Sequence, residues 1–182
     1  MNRIIRMLAL GTLAFLATTP AGAQEQGALG FGLGFVKPED IDSTLWVTAN
    51  YRFRLTDRLV LEPEVGVWKK TEGDEDVAEV SLRDLNFGAN VLYVAQSGGQ
   101  TKLWGGAGLG AHILKGELLL GGAIGSESDS ETKLGIHLLA GADHRLQDSL
   151  DLFGSLRYDL VSLEGDSNLN QLKFYAGLRW RF

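Results

Sequence analysis

Three histidines, His112, His137 and His144, together with Ser155, Asp84, Asp143 and Asp159, are the residues of this chain with the most chemical reach. A serine, a histidine and an aspartate held in line make a nucleophile, its base and the carboxylate that orients the base. Ser155, His137 and Asp159 are the set from which such a hydrolase triad could be composed. The same residues also read as members of an ion-pair ladder on one face of a sheet. If "QDS" at 147–149 is a three-residue hairpin loop, Leu146 faces Leu150, Arg145 lies opposite Asp151 and His137 lies opposite Asp159. By the same arithmetic "TDR" at 56–58 sets Leu55 opposite Leu59, hence Arg52 opposite Glu62, Asn50 opposite Glu64 and Trp46 opposite Trp68. Opposed charges in such pairs stabilise by roughly 0.2–1 kcal/mol each.

The elements that carry these residues have a period of two nearly throughout, the mark of strands whose two faces meet different surroundings. Eight are expected: 27–36, 44–55, 59–68, roughly 80–94, 102–113, 132–146, 150–160 and 174–182. The second sets Leu45, Val47, Ala49, Tyr51, Phe53 and Leu55 against Trp46, Thr48, Asn50, Arg52 and Arg54. The last, "FYAGLRWRF", sets Phe174, Ala176, Leu178, Trp180 and Phe182 against Tyr175, Gly177, Arg179 and Arg181. In the fourth strand the apolar parity switches near Arg83–Asp84, which predicts a bulge or a late strand start. Pro63 removes one ladder donor from the second hairpin. No segment carries the continuous apolar run of a parallel strand.

Connections after the second, fourth and sixth strands are short, whereas 37–43, 69–79, 114–131 and 161–168 are longer. Alternation of short and long connections predicts an antiparallel up-and-down sheet closed into an eight-stranded barrel. The first and fifth strands carry glycine rows on their polar face. Those rows are purposeless against water but make room for large neighbours inside a small barrel, whose interior side chains just fill. The apolar face therefore points outward to lipid. Tyr51, Phe53, Tyr93, Trp180 and Phe182 gather on it near the short turns, and Phe35, Tyr158 and Phe174 towards the long loops, as two interfacial girdles.

The amino-terminal "MNRIIR" is a basic start, and "MLALGTLAFLATT" at 7–19 is an apolar run too short for comfortable membrane spanning. With Pro20 and the small residues "AGA" at 21–23, it reads as a secretory signal removed before Gln24; a retained anchor is the rival reading. The mature domain is then 24–182. Loss of Arg3 and Arg6 moves the net charge from −6 to −8, which argues against nucleic acid as a partner. There is no cysteine, so no disulfide and no lipid anchor are expected. No cofactor or metal motif is present. The acidic stretch "TEGDEDVAE" at 71–79 lacks the spacing of a calcium loop. "GELLLGGAIG" at 116–125 is apolar for a loop and predicts either strand extension or an exposed patch.

The signal segment, the eight alternating strands and the final "FYAGLRWRF" resemble the small eight-stranded outer-membrane β-barrel proteins of the OmpA, OmpX and OmpW type. The resemblance implies an integral, monomeric protein of the outer membrane, surrounded by outer-membrane lipid and lipopolysaccharide. It also implies delivery by periplasmic chaperones to the barrel-assembly machinery, with Phe174, Leu178, Trp180 and Phe182 as the assembly signal. It transfers topology rather than activity. The inner face would carry a lumen network of Arg52, Glu62, Glu64, His137, Arg145, Asp151, Arg157, Asp159, Arg179 and Arg181. A plugged lumen suits a structural or adhesive surface role without catalysis. A conduit for a small or hydrophobic solute is the alternative, and an enzyme acting on membrane lipid a third.

Overall fold

The computed structural model describes residues 27–74, 78–95, 99–120, 126–162 and 169–182; the expected signal segment and its cleavage point lie outside them. Eight strands follow in chain order: β1 (Gly27–Pro38), β2 (Thr44–Arg54), β3 (Leu59–Asp74), β4 (Ala78–Ala95), β5 (Thr101–Leu120), β6 (Ser126–Gln147), β7 (Leu150–Val161) and β8 (Gln171–Arg181). Each pairs antiparallel with the next, and β8 returns to β1 to close the barrel. Closure gives every one of these strands a partner on both sides, which matters because an unpaired backbone group in hydrocarbon costs several kcal/mol.

Burial inverts the order of a water-soluble protein. Leu134 is 78 % exposed and Phe35 60 %, while Arg157, Asp159 and Lys173 are 0 % exposed. An apolar side chain facing outward is stable only where the surroundings are apolar, so the outer surface is a lipid belt. Its lower girdle packs ring on ring: Tyr51 lies 4.5 Å from Phe53 and 6.2 Å from Phe182, and Trp180 lies 6.3 Å from Phe31. Phe35 sits directly opposite Phe174 at the upper girdle.

The short turns set the registers. Leu55 N donates to Leu59 O at 2.9 Å, and the Thr56 hydroxyl accepts from the amides of Arg58 and Leu59, a local hydroxyl-capped turn. Trp46 lies opposite Trp68 and Asn50 opposite Glu64, and the β2–β3 ladder is interrupted beside Pro63 while β3–β4 runs through it.

Three expectations are corrected. The hairpin at "QDS" turns on Asp148–Ser149: Gln147 pairs with Leu150, and a register shift between Arg145 and Gln147 absorbs Leu146. The bulge restores the phase, so Arg145 still lies opposite Asp151 and His137 opposite Asp159. In β4 there is no bulge near Arg83–Asp84, because pairing with β3 and β5 is continuous from Ala78. Parity switches there because the strand leaves the membrane: Arg83 faces outward and Leu82 packs inward against the Val36, Trp46, Trp68, Phe153 and Tyr175 cluster. The spans 69–79 and 114–131 are mostly strand. β3 and β4 run to Asp74 and from Ala78, and β5 and β6 to Leu120 and from Ser126, so a four-stranded sheet rises above the rest of the rim. The 116–120 part of the apolar stretch is strand extension; 121–125 falls outside the described residues.

Candidate functional site

Every inward position is dictated by strand parity, so alternate residues of eight strands converge on one narrow interior. Its lower half holds two arginines and two carboxylates. Arg52 Nε donates to Glu62 Oε2 at 2.6 Å and its Nη1 to Asp143 Oδ2 at 2.5 Å. Arg179 donates from Nη2 to the same Glu62 oxygen at 3.3 Å and from Nη1 to Asp143 Oδ1. The two guanidiniums stack on rings: Arg52 lies 4.6 Å from the Trp104 centroid and Arg179 4.3 Å from that of Phe153. Each charge thus has two partners of opposite sign, which is what a buried ion needs to offset its lost hydration.

The upper half repeats the pattern with different strands. Arg157 donates from Nε to Asp159 Oδ1 at 2.5 Å, from Nη1 to Glu64 Oε1 and from Nη2 to Asn86 Oδ1 at 3.1 Å. Lys173 Nζ donates to Asp159 Oδ2 at 2.6 Å and sits 3.8 Å over the Trp46 ring. The Tyr175 hydroxyl donates to Glu64 Oε2 at 3.1 Å. Asp84 Oδ2 accepts from Gln171 at 2.9 Å and pairs with His112 Nδ1 at 2.8 Å. Arg157 fixes the Asn86 amide, whose nitrogen then faces His112 Nε2 at 3.2 Å. His112 Nε2 is therefore an acceptor, and the imidazole proton resides on Nδ1, towards Asp84. A Cβ on Gly88 or Gly110 would strike the His137 ring and one on Gly135 the His112 ring, so those three glycines make the space for both imidazoles.

The candidate triad is not assembled. His137 presents Nδ1 to Asn90 at 3.4 Å and Nε2 to His112 at 3.4 Å, while Ser155 lies opposite Tyr175 on β8. Arg145 is exposed, and Asp151 pairs instead with Arg181, Nε to Oδ2, at 3.1 Å. The reason is the bulge, which carries Arg145 to the rim of the wall. Asp143, Lys173, Asp84, Asn86 and Gln171 join the interior although no hairpin register predicts a pairing for them. Lys173 and Gln171 are within reach of sequence reasoning, since both continue the inward parity of Tyr175 towards the start of β8. His112, His137 and Asp159 offer one ligand atom each within 4.8 Å of one another, the donor types that would suit a transition metal. Both Asp159 oxygens, however, already serve Arg157 and Lys173.

A closed antiparallel barrel with a lipid-facing exterior and a charged, side-chain-filled interior defines a transmembrane β-barrel. The chain belongs to the outer membrane protein beta-barrel domain family, whose model matches residues 7–182, and outer-membrane residence follows from that membership. It is similar in fold to Neisserial surface protein A (16 % identity, TM-score 0.66, covering 86 % of this chain and 97 % of that one). A major outer membrane protein from Thermus thermophilus is similar too (15 %, TM-score 0.67, 88 % and 100 %). So is Ail, the attachment invasion locus protein of Yersinia pestis, solved with the heparin analogue sucrose octasulfate (14 %, TM-score 0.60, 87 % and 97 %). At these identities the likeness is one of fold. No curated protein matches the chain.

Proposed function

We propose that this protein is a plugged outer-membrane barrel with a structural and surface-contacting role: it stiffens the envelope and displays its outer strands and loops to the surroundings. The observation that carries this reading is the interior. Arg157, Lys173 and Asp159 at 0 % exposure and Arg179 at 2 % fill the lumen together with Trp46, Trp68, Phe153 and Tyr175. An eight-stranded barrel has just enough interior for such a filling. The reading extends to the assembly signal: Phe182 closes the barrel by donating its amide to Gly27 O at 3.1 Å, beside the lower girdle. Planar-bilayer recording of the purified protein tests the plug directly; large steady conductance would overturn it.

A second reading, a conduit for a small hydrophobic solute, has one observation in its favour. A groove of about 400 Å³ opens on the wall between Leu109, Leu134, Ile136, Leu160 and Val161, where β6–β7 pairing ends at Gly135 and Val161. Uptake of a hydrophobic fluorophore into vesicles carrying the protein separates the two readings.

A further inference from the structure

Lys69, Arg83 and Lys115 come from three different strands and form one row: Lys69 lies directly opposite Arg83, and Arg83 directly opposite Lys115. All three are exposed on the outer face. Adjacent strands are about 4.8 Å apart, so three cations stand within about 10 Å of one another. Like charges directly opposed destabilise a sheet, and this row holds two such oppositions side by side. One anion is built in. Lys115 Nζ pairs with Glu117 Oε1, and Lys115, with Lys69 and Arg83 behind it, holds the Glu117 carboxyl below its usual range. That leaves an excess of positive charge.

The row's height on the barrel identifies what neutralises it. Followed across the wall, the line of opposed residues runs Phe174, Phe35, Leu45, steps to β3 one residue beyond its last pair Trp46 and Trp68, and continues as Lys69, Arg83, Lys115, Ser130. Strands of a barrel are tilted, so this line climbs, and it passes from aromatic and aliphatic to basic between β2 and β3. One pleat below the basic stretch stand Val67, Leu85 and Ile113; one pleat above stand Thr71 and Ser81, hydrogen-bonded at 3.1 Å. The three cations therefore mark the level where hydrocarbon ends on the long-loop side. Around them the outer spans are acidic, with 14 Asp and Glu at 37–43, 69–79, 114–131 and 161–168, and would otherwise repel an anionic headgroup layer.

We propose that Lys69, Arg83 and Lys115 form a docking platform for the phosphate groups of an outer-leaflet glycolipid, with the exposed Thr71, braced from behind by the buried Ser81, as a neutral hydrogen-bonding neighbour. Arginine meets a phosphate through two parallel N–H bonds and the lysines add point charge. The inference rests on the outer-membrane reading but not on the plugged lumen.

The test uses the protein refolded into phosphatidylcholine vesicles containing either bis-phosphorylated lipid A or the same glycolipid stripped of phosphate. Insertion is read separately, by protease protection and heat-modifiable mobility, and lipid retention is measured after transfer to neutral detergent. A basic residue near an anionic lipid surface contributes about fivefold, so the triple variant K69Q/R83Q/K115Q should retain the phosphorylated lipid about a hundredfold more weakly. It should insert as well as the parent. E117Q should bind more tightly than the parent, and high salt should erase the differences. Equal retention of both glycolipids, an unchanged triple variant, or equal occupancy by free inorganic phosphate would each overturn the platform. Failure of the parent to insert into either vesicle would instead overturn the membrane-barrel reading on which it rests.

Discussion

Arg157 and Glu64 stand on strands four places apart in an eight-stranded closure, on opposite walls, and meet in the middle of the lumen. Arg157 also holds Asp159 on its own strand, but the cation that Glu64 meets comes from the far wall. The pair shows that the interior is a set of cross-braces, and the first prediction concerns how those braces share charge.

In the lower group Arg52 and Arg179 face Glu62 and Asp143, two against two. Glu62→Gln leaves two guanidiniums with one carboxylate, whereas Arg52→Gln with Glu62→Gln leaves Arg179 balanced by Asp143. The single change should cost about 3–5 kcal/mol, and the double change less. Unfolding of detergent-refolded protein in urea or guanidinium measures both; a double variant weaker than the single one would contradict the pairing.

Emptying the upper half should open the barrel. Arg157→Ala with Glu64→Ala removes a fully buried arginine and one of its anions with no change in net charge. Planar bilayers should show at most small, rare steps for the parent and larger, more frequent ones for this variant. Identical traces would mean that other side chains form the seal.

Glycine tolerance should differ by face. A Cβ at Gly66 would run into the indole of Trp46, while one at Gly154 meets nothing within 4 Å. Gly66→Ala should destabilise by about 1–3 kcal/mol through overpacking. Gly154→Ala should be neutral or slightly stabilising. Thermal mobility shifts on gels would rank the two.

Deleting Phe182 should lower the amount of assembled protein in outer membranes more than Asp129→Asn does. Phe182 joins the closing ladder and the Tyr51 ring, whereas Asp129 is an exposed acid of the rising sheet. Equal surface levels of the two variants would remove the assembly role assigned to the terminal aromatic.

Much of this is legible in the sequence, for a local reason. Arg52 and Glu62 are separated by one tight turn, so counting outward from "TDR" suffices to place them together. Arg52 and Asp143 are 91 residues apart, and their contact depends on how the barrel closes, which no hairpin arithmetic supplies. Arg145 departs from the expected ion pair because the two-residue turn with its bulge keeps the register while carrying the side chain to the rim. Val80 and Leu82 read as a break in the strand because alternation encodes the surroundings as well as the backbone. When β4 passes from lipid into water the outward face turns polar, and the pattern inverts although the strand continues.

The two groups of buried charge have a consequence for how the barrel comes into being. One draws on β2, β3, β6 and β8, the other on β3, β4, β7 and β8. No single hairpin and no half-barrel contains either group whole, so a partly inserted sheet would expose bare charge to hydrocarbon. Intermediates are therefore penalised relative to both ends of the reaction, and insertion approaches an all-or-none event that completes when the last strand meets the first. The same penalty faces the reverse path: a barrel of this construction leaves the membrane slowly.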